Sequence, residues 1–259
     1  MINKLKHQMK SGYIRWQYRN VLPSNQQNSD LYIVEFPKSG ITWFSTLVSN
    51  VNLIMSGSSQ RASYYNIQQL VPDIHMGREL MESPIWTVPK CRFIKSHAMY
   101  CPYYQHVIYL VRNPVSVMKS YYHYKKMLGH FEKTFEAFVI DERYGLERWK
   151  QHVASWLFRG DSAQRIHLVK YEDLIGKPRE TIKELYANLG FDLDDETIDN
   201  AIELSNFEHM KESENHYKKY NPNTSLVFVR DGKAQAEVDE EVRTKILSST
   251  DAIREKLGY

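Results

Sequence analysis

Three groups of residues in this 259-residue chain have the types and spacing that chemistry requires. The first is Glu35-Phe-Pro-Lys-Ser-Gly-Ile-Thr-Trp43. Gly40 lets the main chain approach a ligand oxygen, Lys38 adds a full positive charge, and Ser39 and Thr42 add hydroxyl donors. A helix starting just past the glycine presents free N–H groups and the positive end of its dipole. Together these describe an anion cradle suited to a phosphate. It is not a Walker A loop, because G-x-x-x-x-G-K-S/T is absent and the lysine precedes the glycine. The second group is Val107-Ile-Tyr-Leu-Val-Arg112 with Ser120 eight residues on. A guanidinium at a strand end can donate two parallel hydrogen bonds to a phosphate monoester, and a hydroxyl can add a third. The third is Phe93-Ile-Lys-Ser-His97. A neutral imidazole near pH 7 can take a proton from a weak nucleophile such as an alcohol. Each group also has a plainer reading, as a β–α turn, a structural arginine and a core histidine.

Elements must bring these groups to one place. Four short apolar runs, Leu31–Phe36, Arg92–Lys95, Val107–Val111 and Arg165–Val169, have the length and composition of buried parallel strands. The first and third each lead through a turn into a helix. Thr42–Met55 is apolar at Trp43, Leu47, Val51 and Ile54, and Pro114–Met127 carries proline at a first helical position. Thr181–Leu189, Glu196–Leu204 and Val238–Leu257 read as further helices, with a loop around Asn221–Asn223 and Gly232. The alternation predicts an α/β, P-loop-like three-layer fold, a central mostly parallel sheet flanked by helices. Ligands of such sheets sit at the carboxyl ends of the strands. No repeat or linker divides the chain, so residues 1–259 read as one domain, with 1–29 a basic N-terminal segment.

Composition narrows the partners. A formal net charge of +3 is too small to imply a nucleic acid. Two cysteines, Cys91 and Cys101, with no Cys-x-x-Cys and no His-rich tract, argue against disulfides and against a structural metal. No apolar run reaches the roughly 18 residues of a membrane span, and the N-terminus lacks the apolar core of a signal peptide. These features predict a cytoplasmic location. Lys4, Lys6, Lys10, Arg15 and Arg19 precede the first acid, Asp30. They leave open a membrane-surface or targeting helix, a solvated face and a packed first helix.

The first group, Phe36-Pro-Lys-Ser-Gly-Ile-Thr-Trp43, resembles the 5′-phosphosulfate-binding motif of the cytosolic-type sulfotransferases that use 3′-phosphoadenosine 5′-phosphosulfate (PAPS). The family pattern is Tyr-Pro-Lys-Ser-Gly-Thr-Thr-Trp. Phe36 replaces its tyrosine and Ile41 its first threonine, which shifts 5′-phosphate binding onto Lys38, Thr42 and main-chain N–H groups. The resemblance implies that Trp43 stacks on adenine; its plainer role is a core tryptophan. Arg112 and Ser120 match the family's 3′-phosphate motif in spacing, with Ser116 standing for the usual aspartate as a capping substitution.

Val169-Lys-Tyr-Glu-Asp-Leu174 is similar to the family's Tyr-Glu-Asp-Leu segment, which places Tyr171 at adenine. Leu204-Ser-Asn-Phe-Glu-His-Met210 is similar to its Thr-Ser-Phe-x-x-Met segment and offers Ser205 and Phe207. Phe228-Val-Arg-Asp-Gly-Lys233 resembles the Arg-Lys-Gly loop that closes on the 3′-phosphate, with Asp231 in place of the lysine. The candidates there are Arg230 and the Gly232 main chain. Lys-Ser-His97 is similar to the segment that carries the family's general base.

The resemblance therefore implies a PAPS-dependent sulfotransferase without a metal. His97 is the base, Lys38 serves the leaving oxygen, and Lys95 steadies the transferring group or is simply a solvated strand-end lysine. The acceptor is a small molecule or a glycan, and the stretches Arg61–Pro89 and Met127–Tyr144, with Tyr64, Tyr65, Trp86, Met127 and Phe131, are placed to line its pocket. A non-catalytic nucleotide-binding protein and a P-loop kinase are the competing readings.

Overall fold

A computed structural model of the chain describes residues 17–76, 86, 90–159, 165–221 and 238–259. Its strands β1 (Leu31–Glu35), β2 (Phe93–Ser96), β3 (His106–Val111) and β4 (Arg165–Lys170) form one sheet in the order β2-β1-β3-β4. Every pairing is parallel. The helices, in chain order, are α1 (Ile41–Met55), α2 (Ile67–Leu70), α3 (Pro114–Met127), α4 (Phe135–Val139) and α5 (Leu146–Leu157). After β4 come α6 (Tyr171–Gly176), α7 (Pro178–Asn188), α8 (Asp195–Leu204), α9 (Phe207–Tyr220) and α10 (Glu240–Leu257).

Alternation along the strands builds two cores. Tyr32 and Val34 of β1 join Val107, Tyr109 and Val111 of β3 on one face, under α3, α4, α5 and α10. Leu31 and Ile33 join Ile108, Leu110 and Val169 on the other, under α1, α7 and α8. The result is helix, sheet, helix, as the sequence pattern predicts. All five residues of β1 are buried because both faces are covered.

The amino ends of β1 and β2 are clamped by a buried pair. Arg92 donates from Nε and Nη2 to the two carboxylate oxygens of Asp30, both at 2.8 Å, and from Nη1 to the Asn25 side chain at 2.9 Å.

Some expectations are corrected. The cap of α3 is Asn113, whose side chain accepts from the Val115 N–H at 3.0 Å, so Ser116 lies inside the first turn and is not the cap. Proline at the first helical position also starts α7 at Pro178, ahead of the expected Thr181. Helices α5 and α9 go beyond the sequence expectation. Trp86 and Phe131, expected beside the acceptor, are core residues on opposite faces of the sheet. Burial of large apolar surface there outweighs any service to a ligand. The basic residues Lys4, Lys6, Lys10 and Arg15, and the closing-loop residues Arg230, Asp231, Gly232 and Lys233, lie outside the described residues.

Candidate active site

Residues 36–40 form the whole turn from β1 into α1. Within it Lys38 has φ 79° and Gly40 φ 114°, both left-handed. Gly40 is required twice: its φ disfavours any Cβ, and the Tyr171 ring fills the space a Cβ would take. Left-handed backbone at a lysine costs on the order of 1–3 kcal/mol and persists only where its surroundings enforce it. Here the enforcement is local. The Lys38 N–H donates to Glu35 Oε1 at 3.1 Å, and the Ile41 N–H donates to Glu35 Oε2 at 2.9 Å. The Ser39 hydroxyl donates to the Phe36 carbonyl at 2.9 Å. Gly40 supplies no side-chain cap and Glu35 takes only the Ile41 N–H of α1, so the Thr42 and Trp43 N–H groups are left for an anion.

Tyr171, the first residue of α6, joins the two phosphate motifs. Its ring packs on Gly40, meets Trp43 edge-on with centroids 6.3 Å apart, and carries the Arg112 guanidinium 4.2 Å from its centroid. Arg112 also donates from Nη1 to the Lys38 carbonyl at 3.3 Å, while its Nε is buried with no partner among the described residues. Trp43 is held by its indole N–H, which donates to the Ser205 carbonyl at 2.8 Å. The Lys38 ammonium lies over the Tyr124 ring of α3, 4.6 Å from the centroid. The sheet thus sets Lys38, Trp43, Arg112 and Tyr171 side by side at the ends of β1, β3 and β4.

His97 follows β2, next to this cluster. Its Nδ1 lies 3.3 Å from the Glu35 carbonyl and 3.8 Å from Glu35 Oε1. A carbonyl only accepts, so Nδ1 carries the proton and Nε2 keeps the lone pair. The His97 main-chain N–H donates to His75 Nε2 at 2.9 Å, and the two rings stack. Burial, reinforced by the Lys95 ammonium, holds the His97 imidazole well below the ordinary histidine range, against the pull of Asp73. Lys95 is no solvated strand-end lysine: it pairs with Asp73 at 3.1 Å, with 17% of its side chain exposed. Burial raises Asp73, but Lys95 and His97 outweigh it and leave the carboxyl lowered. Glu35, 1% exposed, is pushed by burial up to about 7, against the pull of Lys95, Lys38 and the loop N–H groups.

The match with known proteins agrees with this geometry. Residues 28–246 match the model of the sulfotransferase domain. The chain belongs to that family. Sulfotransferase 1B1 of Mus musculus is 30% identical over 206 residues, and sulfotransferase 1C2 of Homo sapiens 28% over 200. Each match takes 71% of this chain and 66% of the relative, so the sulfotransferase chain matches just under two thirds of their length. Among solved structures, a retinol dehydratase in complex with androsterone and the inactive cofactor PAP superposes with a TM-score of 0.67 at 21% identity. That likeness covers 92% of this chain and 83% of the other. A mouse sulfotransferase, type 7A1, complexed with PAP gives 0.63 at 22% identity, covering 94% and 92%. Both share the fold.

Within the sulfotransferase domain, the expected residues divide. Lys38, Gly40, Trp43, Arg112 and Tyr171 meet in one cluster, and His97 and Lys95 adjoin it through Glu35. Thr42 is half-buried in the first turn of α1, Ser120 half-buried within α3, and Phe207 half-buried as the first residue of α9. Two hydroxyls expected to meet the nucleotide are committed elsewhere. Ser39 is buried and bonds inside its own turn. Ser205 is fully buried, donates to the Ala201 carbonyl at 2.7 Å and accepts from Asn50 at 2.8 Å. Its contribution is the carbonyl that orients Trp43. Asp73, His75 and the Glu35 carboxylate are additions to the site. Glu35 had a visible signal, an acid closing an apolar strand, whereas Asp73 and His75 are reached only through the parallel bridge between Asp73 and Lys95. Among the described residues no group of three or more His, Cys, Asp or Glu is placed to hold a metal, and no helix is long and apolar enough to cross a membrane.

Proposed function

We propose that the chain transfers a sulfuryl group from PAPS to a hydroxyl or amine of a small-molecule or glycan acceptor, with His97 as general base. The observation that carries this reading is Tyr171, which locks a main-chain anion cradle at Gly40 to the Arg112 guanidinium within one aromatic contact. Two anion sites on either side of one aromatic ring suit an adenosine phosphorylated at both ends. The donor fits the residues present, because Arg112 Nε is buried with no partner among the described residues and Gly40 at the start of α1 supplies no side-chain cap.

His97 takes the acceptor's proton at Nε2 while the acceptor oxygen bonds to sulfur. Lys38 donates to the oxygen that keeps the electron pair of the broken sulfur–oxygen bond, where charge builds. Lys95, anchored by Asp73, adds positive charge beside the sulfuryl oxygens. Trp43 and Tyr171 offer an edge-to-face pair for adenine. The test is incubation with labelled PAPS and a panel of naphthol, a long-chain alcohol, a monosaccharide and an aniline. Labelled product with release of 3′-phosphoadenosine 5′-phosphate (PAP) supports the reading. PAP binding with no transfer to any class points to a nucleotide-binding protein without the activity.

A further inference from the structure

Glu35 sits where a charge is costly. It is 1% exposed at the end of a strand whose other four residues are apolar, and burial of a carboxylate is tolerated only with strong partners. Its partners span the site. Oε2 accepts from the Ile41 N–H at 2.9 Å. Oε1 accepts from the Lys38 N–H at 3.1 Å and lies 3.8 Å from His97 Nδ1. Fixing the turn takes two acceptors, one on each carboxylate oxygen, and an amide would keep only one of them. A full negative charge beside the ring has a further use, since a base that takes a proton becomes an imidazolium next to the Lys95 and Lys38 ammoniums.

We infer that Glu35 is the positioning residue of His97: its main-chain carbonyl holds the Nδ1 proton, and its carboxylate, which also fixes the donor loop, charge-compensates the imidazole that receives the acceptor's proton. This rests on the reading of His97 as base. The acceptor O–H proton goes to Nε2 and the proton on Nδ1 stays there, so Glu35 gains no proton in the step. The titratable groups facing Glu35 are Lys38 from the loop, Lys95 from β2, His97 beyond β2, and Tyr109 from β3. Burial pushes the Glu35 carboxyl up to about 7, so its charge is present above neutrality and lost below it.

The experiment measures turnover and PAP affinity for the wild type, Glu35→Gln, His97→Ala and the double variant, with labelled PAPS and naphthol. Glu35→Gln keeps one of the two loop acceptors, so it is expected to weaken PAP and, apart from that, to lower kcat by on the order of 10–100-fold, less than the roughly 10²–10⁴-fold of general acid–base catalysis itself. The wild-type loss of turnover as pH falls through the Glu35 titration is expected to be absent in Glu35→Gln. In the His97→Ala background Glu35→Gln is expected to lower kcat much less than in the wild type, the remainder being the cost of the lost loop bond. Equal losses in both backgrounds would make Glu35 a loop tie alone and overturn the inference, while His97 stays the base. His97→Ala turnover above half of wild type would overturn the base reading and the inference with it. If Glu35→Gln does not fold, nitrogen-15 NMR of the wild-type histidines decides. A His97 proton on Nδ1 that responds to the carboxylate titration supports the pair, and a proton on Nε2 overturns it.

Discussion

Arg112→Ala separates recognition of the 3′-phosphate from maintenance of the site. One amide-like edge of the guanidinium is already used, with Nη1 on the Lys38 carbonyl at 3.3 Å. The edge carrying the unpartnered Nε is left for a ligand. A hydrogen bond to a charged group contributes about 1.5–3 kcal/mol. Two from this edge to a phosphate therefore come to about 3 kcal/mol at the low end, or about 100-fold in affinity at 1.4 kcal/mol per decade. The substitution also removes the guanidinium from the Tyr171 ring, a contact 4.2 Å from the centroid. Such contacts are worth about 0.5–2 kcal/mol, and this loss falls on any adenine nucleotide alike. PAP is thus expected to weaken by about 100-fold or more, and adenosine 5′-monophosphate by no more than about 30-fold. Calorimetry of both ligands on both proteins measures the difference, with a thermal melt to show that the variant is folded. Equal losses for the two nucleotides would refute the assignment and leave Arg112 a support for Tyr171.

Lys38→Ala should raise the PAPS KM and lower kcat together, because the residue meets both the ground-state anion and the leaving oxygen; steady-state kinetics with intact kcat would leave it a binding residue only. Asp30→Ala strands the buried Arg92 and should cost about 3–5 kcal/mol in urea melts; a loss under about 1 kcal/mol would show the clamp to be dispensable. Stability should fall as pH drops from 7 to 5, in part through His152, held down to about 4 chiefly by burial and with Nε2 buried and unpartnered. The unfolded chain takes that proton below its ordinary value near 6.5 while the native chain does not, so the contribution is complete above about 6.5 and lost toward 4. At pH 5 His152 accounts for a loss of about 2 kcal/mol, the raised Glu35 carboxyl offsets a similar amount, and the depressed His97 leaves a net loss; urea melts of His152→Gln should show a smaller pH loss than the wild type.

The positions of the strands and the turns between β1 and α1 and between β3 and α3 are legible because they are written locally. Short apolar runs, a glycine needing a left-handed φ, and a proline at a first helical position each state their structure within a few residues. The same holds for Lys38, Gly40 and Arg112, whose places at the site follow from lying just past strand ends. Helix α5 was equally open to reading, with Leu146, Trp149, Val153 and Trp156 on one buried face.

What local pattern does not carry is pairing across the fold. Asp30 and Arg92 are 62 positions apart, and Asp73 meets Lys95 only because the chain adds a bridge beside β2. Hydroxyls mislead for a related reason. Ser39 and Ser205 look like ligand donors by type, but each has a main-chain acceptor nearer than any ligand, three residues back for Ser39 and four for Ser205. The Glu35 carboxylate illustrates both effects, with two local bonds that shape the turn and one distant neighbour, His97, that gives it chemical meaning.

The central claim is that two anion sites, joined through Tyr171, bind an adenosine donor phosphorylated at both its 3′ and 5′ positions. Thermal unfolding of the wild-type chain with PAP, compared with ATP and magnesium at equal concentration, tests it most directly. A ligand that binds only the native state raises Tm in proportion to the logarithm of its concentration over its Kd, so at about 100 times Kd the stabilisation is about 2.7 kcal/mol. The account predicts a clear rise with PAP and little or none with ATP and magnesium. A larger rise with ATP and magnesium, or none with PAP, would contradict it.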